Sequence, residues 1–85
     1  MAATYFVVLP IDRDGDGLLQ QGDAEQPRTR RGALALVEVL APKHAGVLAF
    51  SRSIDKHTGE HSAPTILAAI GEIPDGLTRP HAFDD

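Results

Sequence analysis

The 85-residue sequence contains no cysteine. A chain without cysteine has neither a disulfide framework nor a thiolate metal site, and small secreted domains commonly depend on one of the two. A reducing compartment therefore fits this composition best. A chain of this length forms one domain and buries only about 60 to 65% of the surface that it exposes when unfolded, so we expect a small core.

Long apolar segments are absent as well. The N-terminal stretch MAATYFVVLPIDRDG has no basic segment, and its run of about six apolar residues is too short for a signal-peptide core or a membrane span. We expect a soluble, cytoplasmic protein that does not associate with a membrane.

The sequence also lacks an excess of basic residues, and its net charge is −4. Residues 1–25, 26–57 and 58–85 contribute −4, +4 and −4. This order predicts that the basic middle third is neutralised by its neighbours in the folded chain. Since nucleic-acid-binding proteins usually have an uncompensated basic face, nucleic-acid binding is not expected.

The apolar segments predict the element order β-β-α-β-β. Thr4 to Leu9 (TYFVVL) is apolar on both alternating faces, which predicts a central strand that ends at Pro10. Leu18 and Leu19 are expected to begin a short strand that returns antiparallel to the first.

The segment from Pro27 to about Ala41 has the spacing of a helix with one buried face. Its apolar residues recur at intervals of three and four, at Ala33, Leu36, Val37 and Leu40. Pro27 suits the first helical turn, and Pro42 is expected to end the helix near Leu40 or Ala41.

Two further strands are predicted from Gly46 to Ile54 and from Pro64 to Ile73, joined by a loop in which Gly59 takes a positive φ. The predicted fold class is therefore α+β, with an antiparallel or mixed sheet of three or four strands and one helix packed on one face. We expect residues 1–74 to form this single domain and residues 75–85 to form a flexible C-terminal tail.

The stretch DRDGDGLLQQGD, Asp12 to Asp23, places three aspartates at alternate positions before Gly17. It resembles the first half of the EF-hand calcium loop, in which a glycine at the sixth position permits a sharp bend. The resemblance implies calcium ligation by the following residues: Asp12, Asp14, Asp16, Leu18 through its carbonyl, and Asp23 in the twelfth position.

The same stretch departs from the EF-hand pattern in two respects. Asp23 stands where the family has a longer, bidentate glutamate, and a strand rather than a helix precedes the loop. A polar turn or a salt-bridged loop between two strands explains the composition more simply, because Asp and Gly are favoured turn residues. Both interpretations stay open at this point.

Three arginines, Arg28, Arg30 and Arg31, lie at the start of the predicted helix. Cations there oppose the positive end of the helix dipole, so a compensating anion is expected. That anion is either intramolecular, from the Asp12–Asp16 loop or Glu25, or external, from a phosphate or an acidic partner. In the second case the three arginines form a partner-binding surface.

The sequence HTGEH, His57 to His61, matches the zinc signature H-x-x-E-H of the inverted zincin peptidases, which requires a helix. Gly59 favours a loop instead, so we predict exposed loop histidines, with zinc binding together with Asp55 as the alternative. Four alternating residues before and within this loop include the residue types of a Ser-His-Asp catalytic triad: Ser51, Ser53, Asp55 and His57. Neighbours along one strand do not supply the arrangement that a triad needs, so we predict a solvated sheet face instead.

By elimination, we expect a non-enzymatic domain that acts by binding an unknown protein partner or by self-association. One helix covers only one face of such a sheet, and four residues suggest that the second face is apolar too: Tyr5, Val7, Val47 and Ile66. A homodimer would bury that face. Calcium binding by the loop of residues 12–23 is the alternative function, and no other cofactor is expected.

Overall fold

The computed structural model describes residues 2–74; Met1 and residues 75–85, and with them the predicted tail, lie outside the described part. The elements are β1 (Ala2–Arg13), β2 (Leu19–Gln21), α1 (Arg30–Leu40), a 3₁₀ turn (Ala41–Lys43), β3 (Gly46–Asp55) and β4 (Thr65–Gly71). They form one antiparallel sheet in the order β2-β1-β3-β4, with α1 packed against it. The predicted α+β fold is confirmed. Between residues 2 and 74 no helix is long and apolar enough to cross a membrane.

β1 is a central strand, as predicted, but it continues past Pro10 and pairs with β3 from Ala2 to Ile11. The backbone N–H of Gly22 donates to the Pro10 carbonyl (2.8 Å), so the polar groups of Pro10 point toward β2 and away from β3. The missing N–H therefore interrupts only the β2 side of the ladder. The prediction that Pro10 ends the strand was wrong for this reason.

The sheet edge on the β2 side is short and irregular. β2 pairs only with Ile11, Asp12 and Arg13. Beyond Pro10 the pairing resumes between Val8 and Glu25, one residue out of register, through two bonds of 2.9 Å. A short and broken edge of this kind is a poor template for another strand.

Helix α1 begins at Arg30 rather than at Pro27, because Thr29 caps it. The Thr29 backbone is extended, and its Oγ1 accepts a hydrogen bond from Gly32 N–H at 2.9 Å. A threonine in this position satisfies a donor that the first helical turn leaves free. Pro27 consequently lies outside the helix, which ends at Leu40 as predicted.

The core lies between α1 and one face of the sheet. Ala33 and Val37 of the helix are buried against fully buried residues of the two central strands, namely Val8, Val47 and Ala49. Val47 therefore belongs to the helix face, and its assignment to the second face was wrong. It alternates with Leu48, which points to the opposite side.

The second face of the sheet is apolar, as expected, but its centre is not open to solvent. Its central residues are at most 9% exposed: Val7, Leu9, Ile11 and Leu48. The chain after β4 turns onto this face, because a Cβ built on Gly46 would lie 2.8 Å from the carbonyl carbon of Glu72. The second face therefore gives no reason to expect a dimer, because its centre is already covered.

Candidate functional site

The aspartate-rich stretch forms the tip of the β1–β2 hairpin, and Asp14 organises it. The Asp14 Oδ1 atom accepts hydrogen bonds from the backbone N–H groups of Asp16 (2.8 Å) and Leu18 (2.9 Å), and its Oδ2 atom accepts one from Gln20 Nε2 (2.8 Å). Gly17 takes a positive φ of 82°, as a sharp bend requires. The carboxylate of Asp14 is therefore used to close the turn.

These hydrogen bonds lower the pKa of Asp14 below its ordinary value of 3.8. The bond from Leu18 N–H is the largest cause, and partial burial opposes it. Bonds from Asp16, Gln20 and Gly17 act in the same direction as the bond from Leu18. They favour the ionised form because a carboxylate accepts hydrogen bonds more strongly than a carboxylic acid does.

The structure does not gather the predicted calcium ligands around one point. The Leu18 carbonyl accepts the Asp14 N–H at 2.8 Å, so it is already engaged within the hairpin. The Arg13 guanidinium donates to the Gly17 carbonyl and brings a positive charge to the loop. Across residues 2–74, no group of three or more carboxylate or imidazole side chains is placed to hold a metal ion. The calcium hypothesis stays a prediction.

Asp12 faces away from the loop and binds His44, which follows the 3₁₀ turn. The His44 Nδ1 atom lies 2.9 Å from Oδ2 and 3.0 Å from Oδ1 of Asp12. Since an ionised carboxylate only accepts, the imidazole donates in this bond. The contact ties β1 to the segment that enters β3.

A shallow acidic groove of about 390 Å³ lies beside this contact. Its lining includes Asp12, Asp23 and Glu25, with His44 and Leu40 on the other side. Asp12 and Asp23 thus share this groove, whereas Asp14 belongs to the hairpin tip. The groove is open to solvent and presents carboxylates without a ligand-specific arrangement.

The three arginines at the start of α1 are exposed. Within the described chain the only ion pair of an arginine or lysine joins Arg13 to Glu72 (2.6 Å), so the predicted pairing with the aspartate loop or Glu25 is not found. The first turn of the helix contains no acidic residue either. Partner binding by the three arginines stays a prediction.

The histidine-containing segment is a loop, as predicted, and Gly59 has a positive φ of 76°. The Asp55 Oδ1 atom accepts the His57 N–H at 2.8 Å, which closes a turn rather than a helix. His61 instead approaches Tyr5, with its Nδ1 atom 3.2 Å from the tyrosine hydroxyl. The two histidines therefore serve separate local contacts.

The outer side of β4, called here the β4 edge, is the feature that sequence reasoning missed. The strand has the sequence TILAAIG, which contains no charged residue and no proline. Ile66 and Ile70 are 37% and 44% exposed and lie on opposite faces of the sheet. Among residues 2–74 no strand pairs with this edge.

The hydrogen-bond pattern shows which backbone groups point away from the sheet at the β4 edge. Glu72 N–H donates to the Ala45 carbonyl at 2.9 Å, which makes these two residues a hydrogen-bonded pair. Such pairs alternate along an antiparallel ladder. Ile70 and Ala68 pair with residues of β3 that direct their polar groups to β4, so they direct their own to β3, whereas Ala69 between them directs its groups outward. Gly71 has a positive φ of 77° and departs from the strand conformation.

The signal for the β4 edge was present in the sequence but incomplete. The run from Pro64 to Ile73 was predicted as a strand, and its uncharged character was visible. Strand order, however, cannot be read from one sequence, so nothing placed this strand at an edge rather than in the middle of the sheet.

No protein-family model matches the sequence, and no curated protein and no solved structure matches the chain.

Proposed function

We propose that the protein is a non-enzymatic interaction domain that binds an extended segment of another polypeptide along the β4 edge. The observation that supports this proposal is an uncharged seven-residue edge strand in which Ala69 directs its N–H and carbonyl groups away from the sheet. An added strand would pair with these groups. Backbone hydrogen bonds supply affinity in this mode of recognition, and side chains at alternate positions supply specificity.

The two edges of the sheet differ in a way that favours this proposal. Proteins usually protect edge strands by shortening them, breaking them or placing lysine or proline in them. The β2 edge is protected in this manner by its three-residue length and by Pro10. The β4 strand has one bulge, at Leu67, which has no partner in β3, but it has no charge and no proline.

The other candidate sites support a function less well. The carboxylate of Asp14 and the carbonyl of Leu18 would have to leave the hairpin's own bonds before they could hold calcium. The acidic groove and the arginines lie on open surface without a shaped cavity. The β4 edge, by contrast, offers the donor and the acceptor of Ala69 within the regularly paired stretch from Ala68 to Ile70.

A peptide with the β4 sequence TILAAIG, flanked by lysines for solubility, is a suitable extended probe. We expect its titration into the ¹⁵N-labelled protein to shift the amide signal of Ala69 most strongly. The variant Ala69→Pro removes one outward donor and no bond to β3, so it should bind the peptide about five- to tenfold more weakly. A peptide methylated at alternate amide nitrogens is the matched control. Absence of shifts at about 1 mM peptide, or shifts centred on α1, would contradict the proposal.

A further inference from the structure

We infer that the strand received by the β4 edge is β4 of a second copy of this chain, antiparallel to the first about a two-fold axis beside Ala69. This inference rests on the proposed function and names the partner of the same edge. It joins two four-stranded sheets into one continuous sheet. The interface is isologous, so each bond and contact occurs twice.

The backbone chemistry of the β4 edge suits this arrangement. Ala69 directs both its N–H and its carbonyl outward, near the middle of the free edge. Around a two-fold axis at this residue, its N–H donates to the carbonyl of Ala69 of the partner subunit, and the reverse bond forms as well.

The side chains next to Ala69 are complementary to their own copies. On the helix face, this register places Ile70 opposite Ala68 of the partner subunit, so a large residue meets a small one in both symmetry-related positions. Ile70 is 44% exposed in the single chain and gains apolar cover. On the other face the two Ala69 methyl groups leave room for the close approach of the backbones.

Charge does not oppose self-pairing at this edge. A strand that pairs with its own copy brings like charges together wherever it carries them, and β4 carries none. The adjacent Glu72 carboxylate lies 2.6 Å from the Arg13 guanidinium, which neutralises it within its own chain. β4 of a second copy therefore matches this edge in two respects: it brings no charge, and it places a small residue opposite each large one.

Salt gives the dimer a characteristic signature. Each chain has a net charge of −4, so two copies repel at long range. Salt screens this repulsion, whereas the attraction between the two uncharged β4 strands is not weakened by salt. Association through β4 should therefore strengthen as NaCl rises from 20 to about 500 mM. Association through the exposed arginines would weaken over the same range.

A single introduced cysteine tests the register, because the natural chain has no other thiol. Residues paired across an antiparallel ladder have Cα atoms about 5.5 Å apart, within the range of a disulfide. Under mild oxidation we expect Ala69→Cys to form a covalent dimer at least tenfold faster than Leu18→Cys. Leu18 is a matched control because it is 64% exposed at the hairpin tip on the opposite side of the sheet.

Sedimentation velocity on the natural chain completes the experiment. A strand interface of this size predicts a weak dimer, with a dissociation constant on the order of 10 µM. The variant Ala69→Pro should dissociate at least about tenfold more readily, since two symmetry-related hydrogen bonds are lost. Ala68→Pro removes an inward donor instead, so it should unfold more easily.

Two outcomes would overturn the inference. A chain that stays monomeric to about 1 mM while the β4 peptide still shifts the amide signal of Ala69 supports the proposed function and rejects the second copy as partner. A dimer that persists in Ala69→Pro, or that crosslinks equally through Leu18→Cys, uses a different surface. If neither peptide nor second copy binds, the proposed function and the inference both fail.

Discussion

Replacing Gly46 by alanine tests whether the chain after β4 packs on the sheet as the structure places it. The added Cβ would lie 2.8 Å from the carbonyl carbon and 2.9 Å from the nitrogen of Glu72. Because these are backbone atoms, no side-chain rotation relieves the clash. The Glu72 segment would have to move, which would weaken the Glu72–Ala45 hydrogen bond (2.9 Å) and the Arg13–Glu72 ion pair (2.6 Å).

The expected loss of stability follows from these contacts. Overpacking costs about 1–3 kcal/mol, a weakened backbone hydrogen bond costs about 1 kcal/mol, and the half-exposed ion pair adds at most about 1 kcal/mol. The reduced flexibility of the unfolded chain offsets about 0.4–1 kcal/mol of this. We therefore expect a net destabilisation of about 2 kcal/mol, which corresponds to a decrease in Tm of roughly 8–16 °C for a chain of this size.

Urea unfolding followed by circular dichroism measures this difference. Gly15→Ala is the matched control, since no atom lies within 4 Å of a Cβ at that position. The control should stay within about 0.5 kcal/mol of the natural chain. If Gly46→Ala unfolds at the same urea concentration as Gly15→Ala, the reasoning is refuted and the segment after β4 does not pack against Gly46.

Three further measurements address the helix cap and the aspartate loop. Thr29→Ala removes the acceptor of the Gly32 N–H and should lower the free energy of unfolding by about 1 kcal/mol in urea, whereas Thr29→Ser should not. An NMR titration should give Asp14 a pKa below the ordinary value of an aspartate, 3.8. The pKa of Asp14 is lower in the folded state than in the unfolded state, where it is about 4. Ionised Asp14 therefore stabilises the fold above about pH 4, and this stabilisation is lost as the pH falls through the folded-state pKa. In Asp14→Asn the free energy of unfolding should consequently decrease less steeply with falling pH. Calcium up to about 10 mM should leave the amide shifts of residues 12–23 unchanged, and saturable shifts there would instead support the EF-hand resemblance.

Local patterns in the sequence were sufficient to predict the elements. The run from Thr4 to Leu9 is apolar on both faces and does lie in a central strand. The three- and four-residue spacing of Ala33 and Val37 predicted the buried face of α1. Gly59 takes the positive φ that its loop requires. Each of these features depends on neighbours within a few residues.

Features that depend on distant segments were predicted less well. Pro10 lacks a backbone N–H, and whether this ends the pairing of β1 with β3 depends on the side to which Pro10 directs its polar groups. The hydrogen bond from Gly22 N–H shows that this side is the β2 side. Val47 was placed on the wrong face because the register of β3 with β1, and not its composition, determines which of its residues face α1. The exposed arginines found no acidic partner in the described chain, although the charge pattern had predicted one.

The candidate site illustrates the same division. The spacing of the aspartates predicted Asp14 as a calcium ligand, but a carboxylate that can bind an ion can also accept the hydrogen bonds that close a turn. In the structure the Leu18 and Asp16 N–H groups converge on its carboxylate and close the turn, and calcium binding stays a prediction. Backbone direction at this scale is a property of the folded hairpin, so one sequence could not separate the two interpretations.

The composition of β4 and its position in the sheet lead to one last step of argument. A strand with apolar residues on both faces is normally enclosed by neighbours, as β1 and β3 are. β4 has this composition but lies at an edge, where Ile66 and Ile70 remain partly exposed. An apolar edge without charge or proline promotes aggregation unless another strand covers it. The proposed pairing with a second chain would cover this edge, and Ala69 is the position where the second backbone would approach most closely.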